Sequence, residues 1–198
     1  RKNLMKKIAT TEVPINDVIA QRWSPRAFDS NYVITEDSIK SLFEAARWAP
    51  SCYGDQPWQF ILFKKEDATA WVSVLNCLSV GNQNWAMDAS ILIVVCANKN
   101  FNHNDELNRW AHYDAGAAAE NICLQATSIG LAAHQMGGFD QDKIRNLSNI
   151  PTKFDILACM VVGKNLDESK LSKVQKDKEA QARSRKLLKD IYFINEWK

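Results

Sequence analysis

Arg22-Trp23-Ser24-Pro25-Arg26, followed one helix length later by Ala49-Pro50-Ser51-Cys52-Tyr53-Gly54-Asp55-Gln56-Pro57-Trp58, is the pair of stretches whose reading decides the fold. Pro25 disfavours a helical backbone at Ser24, so the first stretch reads as extended. In an extended segment alternate side chains share a side, which puts Arg22, Ser24 and Arg26 together. Two guanidinium forks and a hydroxyl on one face suit phosphate or another polyanion. The plainer alternative is two solvated arginines at a helix end.

Between the two stretches, residues 35–49 carry Ile39, Leu42, Phe43, Ala46 and Ala49 at helical spacing. Thr35 is placed to cap this helix, and Glu36 and Asp37 favour its positive N-terminus. Pro50 ends it. Residues 56–63 read as a turn entering a strand, with Pro57 tolerable only at the strand's start or edge. Residues 90–97 form a continuous apolar run rich in β-branched side chains, expected as a strand covered on both faces at the centre of a sheet.

Residues 110–129 follow a helical pattern with Gly116, Ala117, Ala118 and Ala119 in succession and Gly130 placed as its stop. Such small side chains let neighbouring backbones approach, across a subunit boundary or within one chain, or they simply raise helix propensity. Residues 131–136 and 156–162 are expected as short strands before Gly137-Gly138 and Gly163. The chain is strongly charged from 167 to 189. Residues 191–194 then read as a further strand and Trp197 as an aromatic anchor, docking either on the chain's own sheet or on a partner's. No repeat, low-complexity tract or linker interrupts the sequence, so residues 1–198 are expected to form one domain.

The composition fits this reading. With 198 residues, 46% hydrophobic and 24% charged, the chain can bury roughly 70% of its unfolded surface without disulfides or structural metal. A net charge of +2 gives no ground for nucleic acid or an anionic membrane as the main partner. Cys52, Cys77, Cys96, Cys123 and Cys159 are odd in number and contain no C-x-x-C, which favours reduced thiols in the cytoplasm. Lys2, Lys6 and Lys7 precede no continuous apolar segment, so no secretory signal is expected. The longest apolar run, 91–97, falls far short of the roughly 20 residues a membrane helix needs.

Motifs for other chemistries are absent. No G-x-G-x-x-G, Walker A, H-E-x-x-H or G-x-S-x-G occurs, leaving the Rossmann turn, P-loop hydrolysis, zincins and the α/β-hydrolase elbow without support. His103, His112 and His134 are too scattered for a metal site, and none is expected. Trp48, Trp58, Trp71, Trp85 and Trp110 are expected mainly as core or interface anchors. Arg183-Ser184-Arg185-Lys186 repeats the basic pattern around a serine; alone it reads as a solvated charge run, and beside Arg22–Arg26 as a second grip on one phosphate.

Taken in order, the chain resembles the FMN-dependent nitroreductase family. The resemblance rests on the arginine-serine-arginine segment ending in Phe28, and on Ala-Pro-Ser running to Gln56-Pro57-Trp58. It continues through Asn82 before Asp88-Ala89-Ser90, Asp114-Ala115-Gly116-Ala117-Ala118, Gly130-Leu131, Gly137-Gly138-Phe139 and the closing Arg183-Ser184-Arg185. These motifs span nearly the whole chain. The resemblance implies an α+β fold, with a central mixed, mainly antiparallel sheet flanked by helices in an intertwined homodimer. The segment from about 183 to 198 would be able to reach the partner subunit.

The resemblance also implies FMN at the subunit interface. Arg22, Trp23, Ser24, Arg183 and Arg185 would hold its phosphate and ribityl end, and Arg26 would lie nearer the pyrimidine edge. Ser51 and Cys52 would reach the other subunit's cofactor, and Asn82 would bond the ring. Gln135, Met136, Gly137 and Gly138 would back the isoalloxazine, the glycines allowing close approach. No side chain need act as nucleophile, because the flavin carries the redox chemistry; a cation at Arg26 favours its reduced, anionic form.

The implied activity is ping-pong hydride transfer from NADH or NADPH to a nitroaromatic, quinone or flavin. Two departures bear on it: Gly54 stands where many relatives have asparagine, and Cys52 where many have serine. The same fold admits dehalogenation, enone reduction and flavin fragmentation. The short 97–110 region lacks a long deiodinase-like lid. An FMN-binding sensor or storage protein is the alternative from another class.

Overall fold

The computed structural model describes residues 7–197; Lys2 and Lys6 of the basic N-terminus lie outside the described residues. The fold is built around strand β2 (Ile91–Asn98), whose eight residues are all buried. It pairs with β1 (Trp58–Lys64) on one side and β4 (Phe154–Gly163) on the other, and β3 (Ala132–Met136) closes the order β1-β2-β4-β3. All three pairings are antiparallel. A strand buried on both faces needs two layers of cover, and the alternation of its side chains assigns them.

On one face Ile91, Ile93, Val95 and Ala97 pack against α2 (Glu36–Arg47) and α5 (Ala111–Ser128). On the other, Leu92, Val94 and Cys96 meet Trp71 and Val74 of α3 (Ala68–Leu75), Trp85 of α4 (Val80–Ala86) and Ile144 of α6 (Gln141–Ser148). The result is the expected α+β class, with helices on both sides of an antiparallel sheet.

The helix signals operate as physical chemistry requires. Thr35 Oγ1 accepts from the Ser38 N–H at 3.2 Å, and Ile39, Leu42 and Ala46 form the buried stripe of α2. The alanines of α5 serve packing as well as propensity: Ala111, Ala115, Ala118, Ala119 and Ala126 are buried. Asn121 and Gln125 bond α5 to Ala45 and Ser41 of α2 at 2.9 and 2.6 Å. Gly130, at φ +74°, takes the left-handed conformation that ends the helix.

The tryptophans divide. Trp58, Trp71 and Trp85 are buried, whereas Trp48 and Trp110 are exposed.

One expected element is corrected. Residues 191–194 are not a strand but a turn following the 3-10 helix Leu188–Asp190. The preceding chain is tied elsewhere: the Leu188 N–H donates to Glu12 at 3.0 Å, and Leu187, Leu188 and Ile191 face residues 9–19 across a groove. Leu187, Leu188 and Ile191 therefore lie beside the N-terminal segment, whereas Tyr192, Ile194 and Trp197, the last expected as an anchor, are exposed. A seventh helix, α7 (Lys173–Glu179), precedes this tail and carries a capping box between Ser172 and Gln175.

Cavity formation in the double-sided core should be costly. Ile93→Ala is expected to lower unfolding free energy by about 2–5 kcal/mol, while Val72→Ala, on the exposed face of α3, should stay within about 0.5 kcal/mol. Equal denaturant midpoints for the two variants would contradict this placement of the core.

Candidate functional site

The segment after α1 (Asp17–Gln21) is extended, as Pro25 dictates. Pro25 and Ala27 point inward and are buried; Ser24 and Arg26 are exposed. Arg22 donates to Ser24 Oγ at 3.3 Å, and its Nε lies 3.5 Å from the Glu120 carboxylate on α5.

The C-terminal tail brings the second basic cluster to the first. Arg22, Arg183 and Arg185 line one groove of about 780 Å³ with Lys186, Glu120 and apolar residues of the N-terminal segment. Burial lowers the Arg183 pKa, and the charges of Arg22 and Arg185 lower it further. Arg183 is also a structural staple, its Nη1 donating to the Lys7 and Ala20 carbonyls at 2.6 and 3.0 Å. Burial raises the pKa of Glu120 while Arg22 pulls it down. Arg22, Arg183, Arg185 and Lys186 set four cations against the two carboxylates Glu12 and Glu120, which leaves the groove with an excess of positive charge.

A second cluster forms where β3 runs into Gly137-Gly138. The Gly138 carbonyl accepts from Asn82 Nδ2 at 3.0 Å and from the Ser79 N–H at 2.9 Å. A Cβ at Gly138 would lie 2.8 Å from both Asn82 Nδ2 and Ser79 Oγ, so the turn depends on glycine there; at Gly137 the same position is open space. Gln135 is exposed and touches Cys123 Sγ at 3.5 Å, whereas Met136 is buried, so only its backbone faces the turn.

Arg26 belongs to this second cluster. Its guanidinium lies 5.9 Å from the ring centre of Trp85, on the same helix as Asn82, and the Trp85 ring lies 4.4 Å from that of His134. Trp23 has Lys7 Nζ over its ring at 5.0 Å and lines a small pocket with Pro25, Ala27 and Glu179.

Ser51 and Cys52 lie in a separate place. Ser51 Oγ accepts from the Gln56 N–H at 3.1 Å, and the Cys52 N–H donates to the buried carboxylate of Asp114 at 2.9 Å. Tyr53, Gly54 and Gln56 all have positive φ, which holds this loop in a sharp and, at the two side-chain-bearing positions, strained turn. Asp55 pins the following loop by accepting from the Asn102 N–H at 2.8 Å. Among the described residues, no hydrogen bond, ion pair or ring contact links Ser51 or Cys52 to the arginine groove or the Gly137-Gly138 turn.

Sequence reading missed Glu120, Trp85, His134 and Glu179 as parts of this region. The three-residue spacing of Asn82 and Trp85 on one helix was a usable signal for Trp85. Nothing local marks Glu179, which meets its partner 153 positions away.

Comparison with known proteins identifies the family. Residues 19–73 and 72–164 match the Nitroreductase family. A solved structure described as an oxidoreductase containing FMN superposes with a TM-score of 0.87 at 32% identity, covering 96% of each chain. Protein DrgA of a Synechocystis species is 27% identical, over 77% of this chain and 85% of its own. An oxygen-insensitive NADPH nitroreductase of Helicobacter acinonychis is 24% identical, over 77% and 88% respectively. The chain belongs to the nitroreductase family.

His134 gives the site a pH dependence. Burial, then the charges of Arg26 and Arg22, hold its pKa below the ordinary 6.5, against the opposing pull of its bond to the Pro25 carbonyl. Below about pH 6.5 the unfolded chain takes up a proton that the folded protein resists, so stability falls with pH until the folded value is reached. His134→Gln should flatten this slope as the pH falls below about 6.5. Parallel thermal-unfolding profiles for the two proteins would contradict the assignment.

Proposed function

We propose that this chain is an NAD(P)H-dependent FMN oxidoreductase, one domain per subunit in a homodimer, acting on a small aromatic or quinone-like acceptor. The observation that carries this reading is the convergence of Arg22, Arg183 and Arg185, from opposite ends of the chain, in one groove. Support for the cofactor comes from the relatives described as containing FMN or using NADPH.

The residues fit FMN. Arg22, Arg183 and Arg185, with Ser24 and Trp23, would hold its phosphate and ribityl end, where fixed guanidinium forks bind a dianion. The open space over Gly137, the glycine turn at Gly138 and the main chain of Gln135 and Met136 suit a flat ring. Asn82 of α4 bonds that turn, and Arg26, whose guanidinium lies over Trp85 of the same helix, would supply positive charge. When bound, FMN supplies two-electron hydride chemistry, taken from NADH or NADPH and given to a nitroaromatic, quinone or flavin in alternation. The chain's own residues bind, orient and polarise, and none is required as a nucleophile.

The dimer reading draws support from apolar surface left bare on one chain. Tyr53 and Tyr113 are 85% and 79% exposed and Trp48 is 74% exposed, near the Ser51-Cys52 loop and the N-terminal half of α5. A second copy covering this face would bring its Ser51 and Cys52 to the neighbouring cofactor, and only the residues beyond Ile191, past the contacts with residues 9–19, would extend across as well. Five free thiols fit a reducing compartment, hence the cytoplasm. No helix among the described residues is long and apolar enough to cross a membrane.

Purified protein should bind FMN, and Arg22→Ala or Arg185→Ala should weaken that binding by about 1.5–3 kcal/mol if each makes a charged hydrogen bond. Absence of binding in the wild type would sink the reading; unchanged affinity in both variants would reduce the basic groove to surface charge. Steady-state turnover of NADH or NADPH against a quinone separates an enzyme from a flavin sensor or store, which should be reduced only slowly.

A further inference from the structure

The carbonyl of Pro25 and the N–H of Arg26 belong to a single peptide unit, and two buried side chains hold its two ends. His134, on β3, donates from Nδ1 to the Pro25 carbonyl at 2.8 Å. Glu179, at the end of α7, accepts from the Arg26 N–H at 2.8 Å. Both are more than nine-tenths buried, with 8% and 6% of their surface exposed.

Burying a carboxylate is costly unless hydrogen bonds compensate, and here a main-chain N–H supplies one. Turning the Pro25–Arg26 peptide plane would break both bonds at once, and the proline ring already fixes the preceding φ. The direction in which Arg26 leaves the backbone is therefore set from two sides. His134 also acts on the far end of the same side chain, because its ring packs on Trp85, over which the Arg26 guanidinium lies.

We propose that His134 and Glu179 are positioning residues that clamp the Pro25–Arg26 peptide and so aim Arg26 at the bound flavin. The flavin part rests on the function proposed above; the clamp itself does not. Because Glu179 lies four residues before Arg183, the same contact ties the C-terminal grip to the N-terminal one.

The test combines amide hydrogen exchange at Arg26 in the FMN-free protein with fluorescence titration of FMN. The wild-type amide should be protected. Glu179→Ala should speed its exchange about tenfold or more and weaken FMN about five- to tenfold, less than the loss of a direct charged hydrogen bond because Glu179 acts only through Arg26. Glu179→Gln, which keeps an acceptor oxygen, should restore most of both, and His134→Ala should weaken FMN similarly. In an Arg26→Ala background the effects of Glu179→Ala and His134→Ala on FMN should disappear, because a positioning role acts only through Arg26.

An Arg26 amide in the wild type that exchanges at the rate of an unstructured amide would overturn the clamp without any variant having to fold. Equal losses of FMN affinity with and without Arg26 would overturn its positioning role. If wild-type protein bound no FMN, the flavin reading would fall while the exchange measurement still decided the clamp.

Discussion

Burial of β2 on both faces is the constraint from which the rest of the architecture follows. An eight-residue strand with no exposed position must be flanked by strands and covered by helices above and below. α2 and α5 therefore share one face of the sheet, and α3, α4 and α6 the other. β3 lies at the sheet's edge, beyond β4, so the turn after it emerges beside α4. The Gly137-Gly138 turn, Asn82 and Trp85 meet there because the sheet leaves them no other place.

The arginine groove is assembled differently, by segments outside the sheet. Arg22 follows α1, Arg183 and Arg185 follow α7, and the pieces converge over Glu120 on α5. Like charges held together resist folding, and this repulsion adds to burial in lowering the pKa of Arg183. Such a cluster persists only if other contacts hold its members in place. Arg183 bonds two main-chain carbonyls, Arg22 meets Glu120, and Glu179 fastens the Arg26 backbone to α7. A polyanion would relieve the repulsion that these contacts sustain.

Much of the fold was legible because its signals are local. The apolar run at 91–97, the capped stripe of α2 and the Gly130 stop each follow from the residues that form them. The alternation of Arg22, Ser24 and Arg26 was equally readable from Pro25. What escaped reading was non-local. Residues 191–194 have strand composition, but an edge partner makes a strand, and this segment meets none: Ile191 borders the groove beside residues 9–19 while Tyr192 and Ile194 are exposed. Glu179 sits in a charge run resembling a solvated face, yet it is buried, since only the three-dimensional path of the tail brings it beneath Arg26. The loop of Ser51 and Cys52 shows the same limit at the next level: within one chain it is anchored to Asp114, and its expected cofactor belongs to another subunit.

A crystal structure of the protein grown with FMN tests the central claim most directly. The account predicts two copies in the assembly, with the FMN phosphate between Arg22 and Arg185 and the ring against the Gly137-Gly138 turn, flanked by Arg26. Phosphate density elsewhere, or an arginine groove without ligand in a protein saturated with FMN, would contradict it.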